Sequence, residues 1–471
     1  MGDGADMAPS AERRIGDRIA RELYRDPDYL DDSIILDYVQ DIWLPLMAAA
    51  RLRGELPAEL DSTYAWEILL GRDRSVNAFA LPGGYLGLHL GLVGVVSSRD
   101  ELASVLAHEL SHVTQRHISR LISRQSGQAP WLMGAMILGA MAASKSADAG
   151  TALLVGGQAV AAQNQLNFSR DMEREADRVG FGVMTQAGFE PKAFVSMFEK
   201  LQRASRLNDG GGFPYLRSHP LNTERMADMQ ARATQATGET SPSVHALEHA
   251  MVAARARVLA NGNVDALRAA LQHAQPARLA KLTPLERVAA LYESTFAALK
   301  LRDFSAAQAY WNQLAALAAK DTAGDRTARL LGAELALAQN QPQQALTLLK
   351  GLGKANRSVL LWTAKAQLQA SQPALASQDL QTWLADHPRD AQAWQLLASA
   401  NAAQGKTLAS VRAEAEVNIA QLDFAAALTR LKAAQDFARK GAGSNDHIEA
   451  SIVDTRTRQV ELWVRDLALE R

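Results

Sequence analysis

Apolar and polar positions alternate with different periods in different parts of the chain. Over residues 98–122 apolar side chains recur every three or four positions (Leu102, Val105, Leu106, Leu110, Val113), which predicts one helix from Asp100 to Ile122 with a buried stripe. Ser98 followed by Glu101 is a capping-box pattern at its start, and Asp100 suits the positive end of the helix dipole. Asn77-Ala78-Phe79-Ala80-Leu81-Pro82-Gly83-Gly84 reads instead as an apolar strand entering a tight turn. Ser169 to Asp177 is charged and helix-favouring, and apolar Val179 and Phe181 follow it. After Val244 Ala and Gln become dense, and the pattern becomes one of paired amphipathic helices. Small residues recur there at Ala307, Ala345, Ala376 and Ala409, with spacings of 38, 31 and 33. These lie near the tetratricopeptide period of about 34 residues and predict about four degenerate repeats, whose concave surface suits a partner. Asn340-Gln341-Pro342, Ser371-Gln372-Pro373 and Gln404-Gly405-Lys406 place turns just before second helices, and Trp362, Trp383 and Trp394 are expected to fill the space between helices.

Two further apolar runs, Trp131 to Ala143 and Thr151 to Ala162, fall short of the roughly 20 residues needed to span a bilayer. They fit a buried hairpin, a mobile lid, or a peripheral membrane contact through 131–162, with Met133, Met136 and Met141 supplying adaptable surface. A chain of 471 residues has room for two or three domains. Its 50 basic and 51 acidic residues leave a formal charge of −1, so no overall field favours nucleic acid. With no cysteine, disulfides, cysteine lipidation and thiolate metal ligands are excluded. Met1 to Asp6 is polar and acidic, without the basic and apolar regions of a signal peptide; taken literally this predicts a cytoplasmic protein.

The chemistry concentrates in His108-Glu109-Leu110-Ser111-His112. Residues four apart share a helix face, so both imidazoles can point at one metal ion. Glu109 sits about 100° around the helix from His108, close enough to reach a water beside that metal without being a ligand. His117 is a poor third ligand, since nine residues carry it about 180° around a continuous helix from His108, and no glycine at Gln115 breaks the path. Glu173 is the better candidate, with Asp177 one turn on to orient a ligand histidine. Taken alone, that segment also fits a solvated face of ion pairs such as Arg170 with Glu173 or Arg174 with Asp177. His219, followed by Pro220 and preceded by three glycines at 210–212, lies in a loop.

His108-Glu109-x-x-His112 with Glu173-x-x-Ala176-Asp177 resembles the gluzincin family containing HtpX and the CAAX-prenyl-protein protease. Asn77 to Gly84, and Ser218-His219-Pro220 with Arg225, match further segments of that family, and the repeats make the whole similar to the BepA group of bacterial periplasmic proteases. The resemblance implies that His108, His112 and Glu173 hold one zinc ion and that Glu109 moves the proton from the attacking water to the leaving amine. Asp177 would orient a ligand. Asn77, Ala78, Phe79 and Ala80, within an edge strand reaching Tyr85, would take an extended polypeptide by β-augmentation. His219 would either stabilise the tetrahedral intermediate, and so count with Glu109 as catalytic, or occupy a fourth zinc position in a latent state. The implied setting is periplasmic, with the signal removed, misassembled outer-membrane proteins as clients and the β-barrel assembly machinery as partner through the repeats. The expected fold is mainly α: an α-rich gluzincin peptidase domain with a small β-hairpin or sheet over residues 9–244, then a helical tetratricopeptide-like solenoid over 245–471. The alternative is a chaperone or scaffold for outer-membrane protein assembly whose zinc site stays largely latent.

Overall fold

The computed structural model describes residues 7–124, 169–207, 214–236, 245–353, 356–439 and 447–469. The apolar runs within 131–162 and the glycines 210–212 lie outside the described residues. Contacts divide the chain into two compact units, Met1–Thr327 and Ala328–Arg471.

In the first unit, α1 (Pro9–Arg25) and β1 (Tyr29–Leu30) lead to α2 (Ser33–Leu52), which starts where the Asp32 carboxylate accepts from Ile35 N. After α3 (Ala58–Thr63), β2 (Glu67–Gly71), β3 (Ala78–Leu81) and β4 (Tyr85–His89) complete a four-stranded sheet in the order β1-β2-β4-β3. β2 and β4 are parallel, whereas β3 runs antiparallel to β4 and lies at the edge. The expected strand over Asn77 to Tyr85 is therefore shorter: Gly83 (φ 72°) and Gly84 (φ 81°) turn the chain, and Tyr85 already belongs to β4.

Next come α4 (Leu90–Val95), α5 (Arg99–Thr114) and α6 (His117–Arg124). Ser98 Oγ caps α5 by accepting from Glu101 N, while the Glu101 carboxylate reaches one residue further back, to Ser97 N. The single helix expected from Asp100 to Ile122 is broken: it stops at Thr114, and Arg116 takes φ 54° before α6 begins. Tertiary contacts hold Arg116 there, its guanidinium bonding to Glu12, Ser119 and the carbonyl of Met7. α7 (Arg170–Gln186) packs on α5 through Ala176 and Gly180, where a Cβ on Gly180 would lie 3.0 Å from the Ala107 carbonyl oxygen and 3.1 Å from His108 N. Only glycine allows this approach without displacing backbone, and it brings Glu173 to the histidines. α8 (Lys192–Leu207), α9 (Tyr215–Ser218) and α10 (Thr223–Gln235) complete this helical layer.

α11 (Ala246–Ala260), α12 (Val264–Leu271), α13 (Pro276–Leu279), α14 (Pro284–Lys300) and α15 (Phe304–Ala318) follow the composition shift at 244/245 yet fall in the first compact unit. Buried polar contacts tie α11 to the preceding helices: Arg255 grips the Asp32 carboxylate with both Nε and Nη2, and His249 bridges Tyr38 and the Val96 carbonyl. Helix pairing and compactness thus change at different points.

The division between units falls within α16 (Thr322–Ala338). The second unit continues through α17 (Pro342–Leu349), α18 (Arg357–Gln369), α19 (Pro373–Asp386), α20 (Ala391–Ala403), α21 (Thr407–Ala420), α22 (Phe424–Arg439) and α23 (His447–Leu469). From α17 on each helix packs on the next, and α20 also reaches α18. Asn340, Ser371 and Gly405 have φ of 60°, 58° and 72°, each two residues before a new helix, as do Arg302 and Leu422. A left-handed residue there ends one helix and starts the next. Ala345 and Ala376 are fully buried, which lets the paired helices approach closely. Among the described residues, no helix is long and apolar enough to cross a membrane.

Candidate metal centre

α5 presents His108 and His112 on one face, α7 adds Glu173, and the loop after α9 adds His219. All four are buried, and one ligand atom from each lies within 4.8 Å of the others. His108 Nε2 is 3.0 Å from His112 Nε2 and 3.3 Å from His219 Nδ1. Glu173 Oε1 is 3.0 Å from His219 Nδ1 and 3.4 Å from His112 Nε2, while its Oε2 is 3.6 Å from His108 Nε2. An ion bound tetrahedrally at about 2.0–2.1 Å spaces its donors about 3.3 Å apart, so the donor set fits one such ion. The chemistry agrees. Three imidazole nitrogens facing one another at these distances set lone pair against lone pair, or need a shared proton, unless a cation lies among them.

The surroundings orient each group. His108 Nδ1 lies 2.9 Å from Asp177 Oδ1, and Arg225 holds Asp177 with Nε (2.6 Å) and Nη2 (2.8 Å) while its Nη1 reaches Glu173 Oε2 at 2.7 Å. His112 Nδ1 is 2.8 Å from His117 Nδ1, and His117 Nε2 is 3.1 Å from Glu175 Oε2. Burial pulls the His108 imidazole down, but hydrogen bonds to Asp177 and Glu173 carry it up to about 9. Burial and the neighbouring His108 and His219 keep His112 well below the usual imidazole value, despite Glu173. Burial also raises Glu173, but His219, His108 and His112 outweigh it and hold the carboxyl well below its ordinary range. Glu173 is therefore an ionised donor.

Glu109 lies beside the cluster, fully buried. Its Oε2 accepts from Ala80 N at 3.0 Å, and its Oε1 has no hydrogen-bond partner among the described residues, with His219 Nε2 3.4 Å away. Burial pushes its carboxyl up, against the pull of His219 and His108. Tyr215 adds a smaller downward pull on the Glu109 carboxyl, and its ring lies over His219 with centroids 4.6 Å apart.

The residues singled out in the sequence are thus brought together: His108, His112, Glu173 and His219 as donors, Glu109 beside them, and Asp177 behind His108. Asn77 precedes β3 and its carbonyl accepts from His89 N, so along the strand Ala78 and Ala80 turn their peptide groups outward while Phe79 and Leu81 face β4. His117 stays outside the donor set and touches His112 instead. The ion pairs Arg170–Glu173 and Arg174–Asp177 do not form; Arg174 pairs with Asp171 and Glu224. Tyr215 and the part played by Arg225 had no local signal, because each reaches the site from a distant segment.

The signature of peptidase family M48 matches residues 38–233. The chain is 30% identical over 465 residues to the beta-barrel assembly-enhancing protease of Escherichia coli strain K12, covering 97% of this chain and 90% of that one. It is 30% identical over 416 residues to the protein of the same name from Yersinia pestis, covering 88% and 82%. A shorter likeness, 28% over 196 residues, links 41% of this chain to 54% of the mitochondrial metalloendopeptidase OMA1 of Saccharomyces cerevisiae. With similarity running almost the full length of both chains and the donor cluster lying inside the matched segment, the chain belongs to peptidase family M48 and is a metallopeptidase acting on polypeptides.

Proposed function

We propose that this chain is a zinc endopeptidase that cleaves misfolded or misassembled envelope proteins, with His108, His112 and Glu173 as zinc ligands and His219 as a fourth ligand in a latent state. The convergence of four buried donors, with Glu109 beside them, is the observation that supports it most. Zinc would polarise the scissile carbonyl and lower the pKa of the attacking water. Glu109, raised by burial, accepts the proton from that water and delivers it to the leaving amine. Asp177 orients His108, and Arg225 orients Asp177. An extended substrate pairs with the outward edge of β3, along Asn77 to Ala80, where the Ala80 amide already contacts Glu109.

The relatives' name, carried over nearly the whole length, supports a role in enhancing β-barrel assembly; this reading sets the chain in the periplasm and gives the repeat region the assembly machinery as its partner. In this reading residues 9–244 are the peptidase domain and 245–471 the repeat domain. Zinc content and casein hydrolysis of wild type and Glu109→Gln test it. One zinc per chain, with activity falling about 10²- to 10⁴-fold in the variant, is the expected result. Absence of zinc after metal is supplied overturns it. His219→Ala is expected to raise basal hydrolysis; a fall would instead make His219 part of the catalytic machinery.

A further inference from the structure

The two histidines of the α5 motif are oriented by different devices. His108 turns its Nδ1 to a carboxylate directly, with Asp177 Oδ1 at 2.9 Å. His112 turns its Nδ1 to a second imidazole, His117, and only beyond that to a carboxylate, Glu175. We propose that His117 and Glu175 form a positioning relay that fixes the tautomer and ring orientation of His112, and so sets how well the site holds its metal. The inference rests on the metal-site reading above.

Proton bookkeeping carries the argument. To donate a lone pair into the cluster, His112 must leave Nε2 bare and carry its proton on Nδ1. That proton needs an acceptor, and His117 Nδ1 is the atom at 2.8 Å. His117 can accept there only if its own proton sits on Nε2, and that nitrogen faces Glu175 Oε2 at 3.1 Å. An ionised carboxylate only accepts, so Glu175 selects this tautomer. Arg120 Nη2, 2.7 Å from the same oxygen, anchors Glu175 in turn. The reverse tautomer would place a bare His117 nitrogen against a carboxylate and drive the His112 proton onto Nε2, facing His108 Nε2 at 3.0 Å and abolishing ligation.

The break after α5 makes the contact. In an unbroken helix the five-residue offset would put His117 about 140° away from His112. The left-handed Arg116 swings the chain so that the ring of His117, fully buried, lies 4.8 Å from that of His112, centroid to centroid, at 76°. Glu175 is two residues from Glu173, on the face of α7 turned to α6, so one helix serves the site from two sides.

Zinc affinity, measured by competition with a chromophoric chelator, tests the relay on four full-length chains. His117→Phe keeps a ring and removes the acceptor. His117→Asn keeps an acceptor near the Nδ1 position and removes the ring. The relay predicts that Phe weakens zinc binding by about 10- to 100-fold while Asn binds nearly as well as wild type. A packing role predicts the opposite order. Glu175→Ala, at a partly exposed position where folding is not at stake, should weaken binding in the same direction as Phe. Wild-type affinity in Phe or in Glu175→Ala, or equal losses in Phe and Asn, overturns the relay. Failure of wild type itself to bind zinc overturns the metal-site reading instead.

Discussion

Arg225 shows what a single buried residue does here. Its guanidinium spans Asp177 and Glu173, and it also donates to the Pro220 carbonyl, next to His219. Removing it leaves two buried carboxylates without their cation, a change that typically costs about 3–5 kcal/mol. Arg225→Ala is therefore expected to lower the unfolding free energy in urea by about that much, and Arg225→Lys to recover only part, because an ammonium cannot make the paired contact with Asp177. An unchanged urea midpoint in Arg225→Ala would refute this account of the network. The same residue marks the limit of what the sequence discloses. His108, Glu109 and His112, and likewise Glu173 and Asp177, are spaced by the helix period, so their shared faces are legible. The Arg225–Asp177 and His219–Glu173 contacts join residues 48 and 46 apart, and His108–His219 spans 111. No local period encodes those distances; a resemblance supplied His219 and left the task of Arg225 unstated.

Among elements, the pairing of α5 with α7 is the contact on which the centre depends. Two glycines on α7 separate the effects. Gly180 faces backbone at Ala107 and His108, which cannot move without shifting the motif, whereas Gly182 faces the far end of the Arg53 side chain, which can swing aside. Gly180→Val should overpack this contact at about 1–3 kcal/mol, part the helices and weaken metal binding. Gly182→Ala should instead gain up to about 1 kcal/mol from helix propensity, with metal binding unchanged. Melting temperature and zinc affinity on both variants check this, and equal effects at the two positions would contradict it. The element pattern was legible where one force dominates: the cap at Ser98, the strand entering the Pro82-Gly83-Gly84 turn, and the turns before Pro342, Pro373 and Thr407 all follow local chemistry, whereas the strand's place at the sheet edge came from the resemblance. The break at Arg116 was not, because Glu12, Ser119 and Met7 hold a residue left-handed that local preference would leave helical.

At the scale of the whole molecule, each compact unit carries one buried aspartate that both caps a helix and binds an arginine. Asp32 caps α2 and takes Arg255, which attaches α11 to the catalytic layer. Asp390 caps α20, takes Arg357 at 2.8 and 2.9 Å, and accepts from Trp383 Nε1 at 2.9 Å. Burial raises both carboxyls, but Arg255 and Arg357 respectively outweigh it, and both lie below the ordinary aspartate value of 3.8. A carboxyl with a depressed folded value contributes stability that is fully present above the unfolded value and is lost as pH falls through the folded one. Both units should thus hold this contribution at neutral pH and down to about pH 5, then lose it below about pH 4. In Asp390→Asn the charge is gone at every pH. That variant should be less stable near neutrality, on the order of 1–3 kcal/mol for the lost charged hydrogen bonds, yet lose less on acidification than wild type. Tryptophan fluorescence during urea unfolding at pH 7 and pH 3 reads this out, since Trp383 bonds directly to Asp390. Parallel losses in wild type and variant between the two pH values would show that this aspartate does not govern the acid response. Asp32→Asn should then distinguish the units, because its effect falls on the unit that holds the donor cluster and so should also move zinc affinity, which Asp390→Asn should leave unchanged.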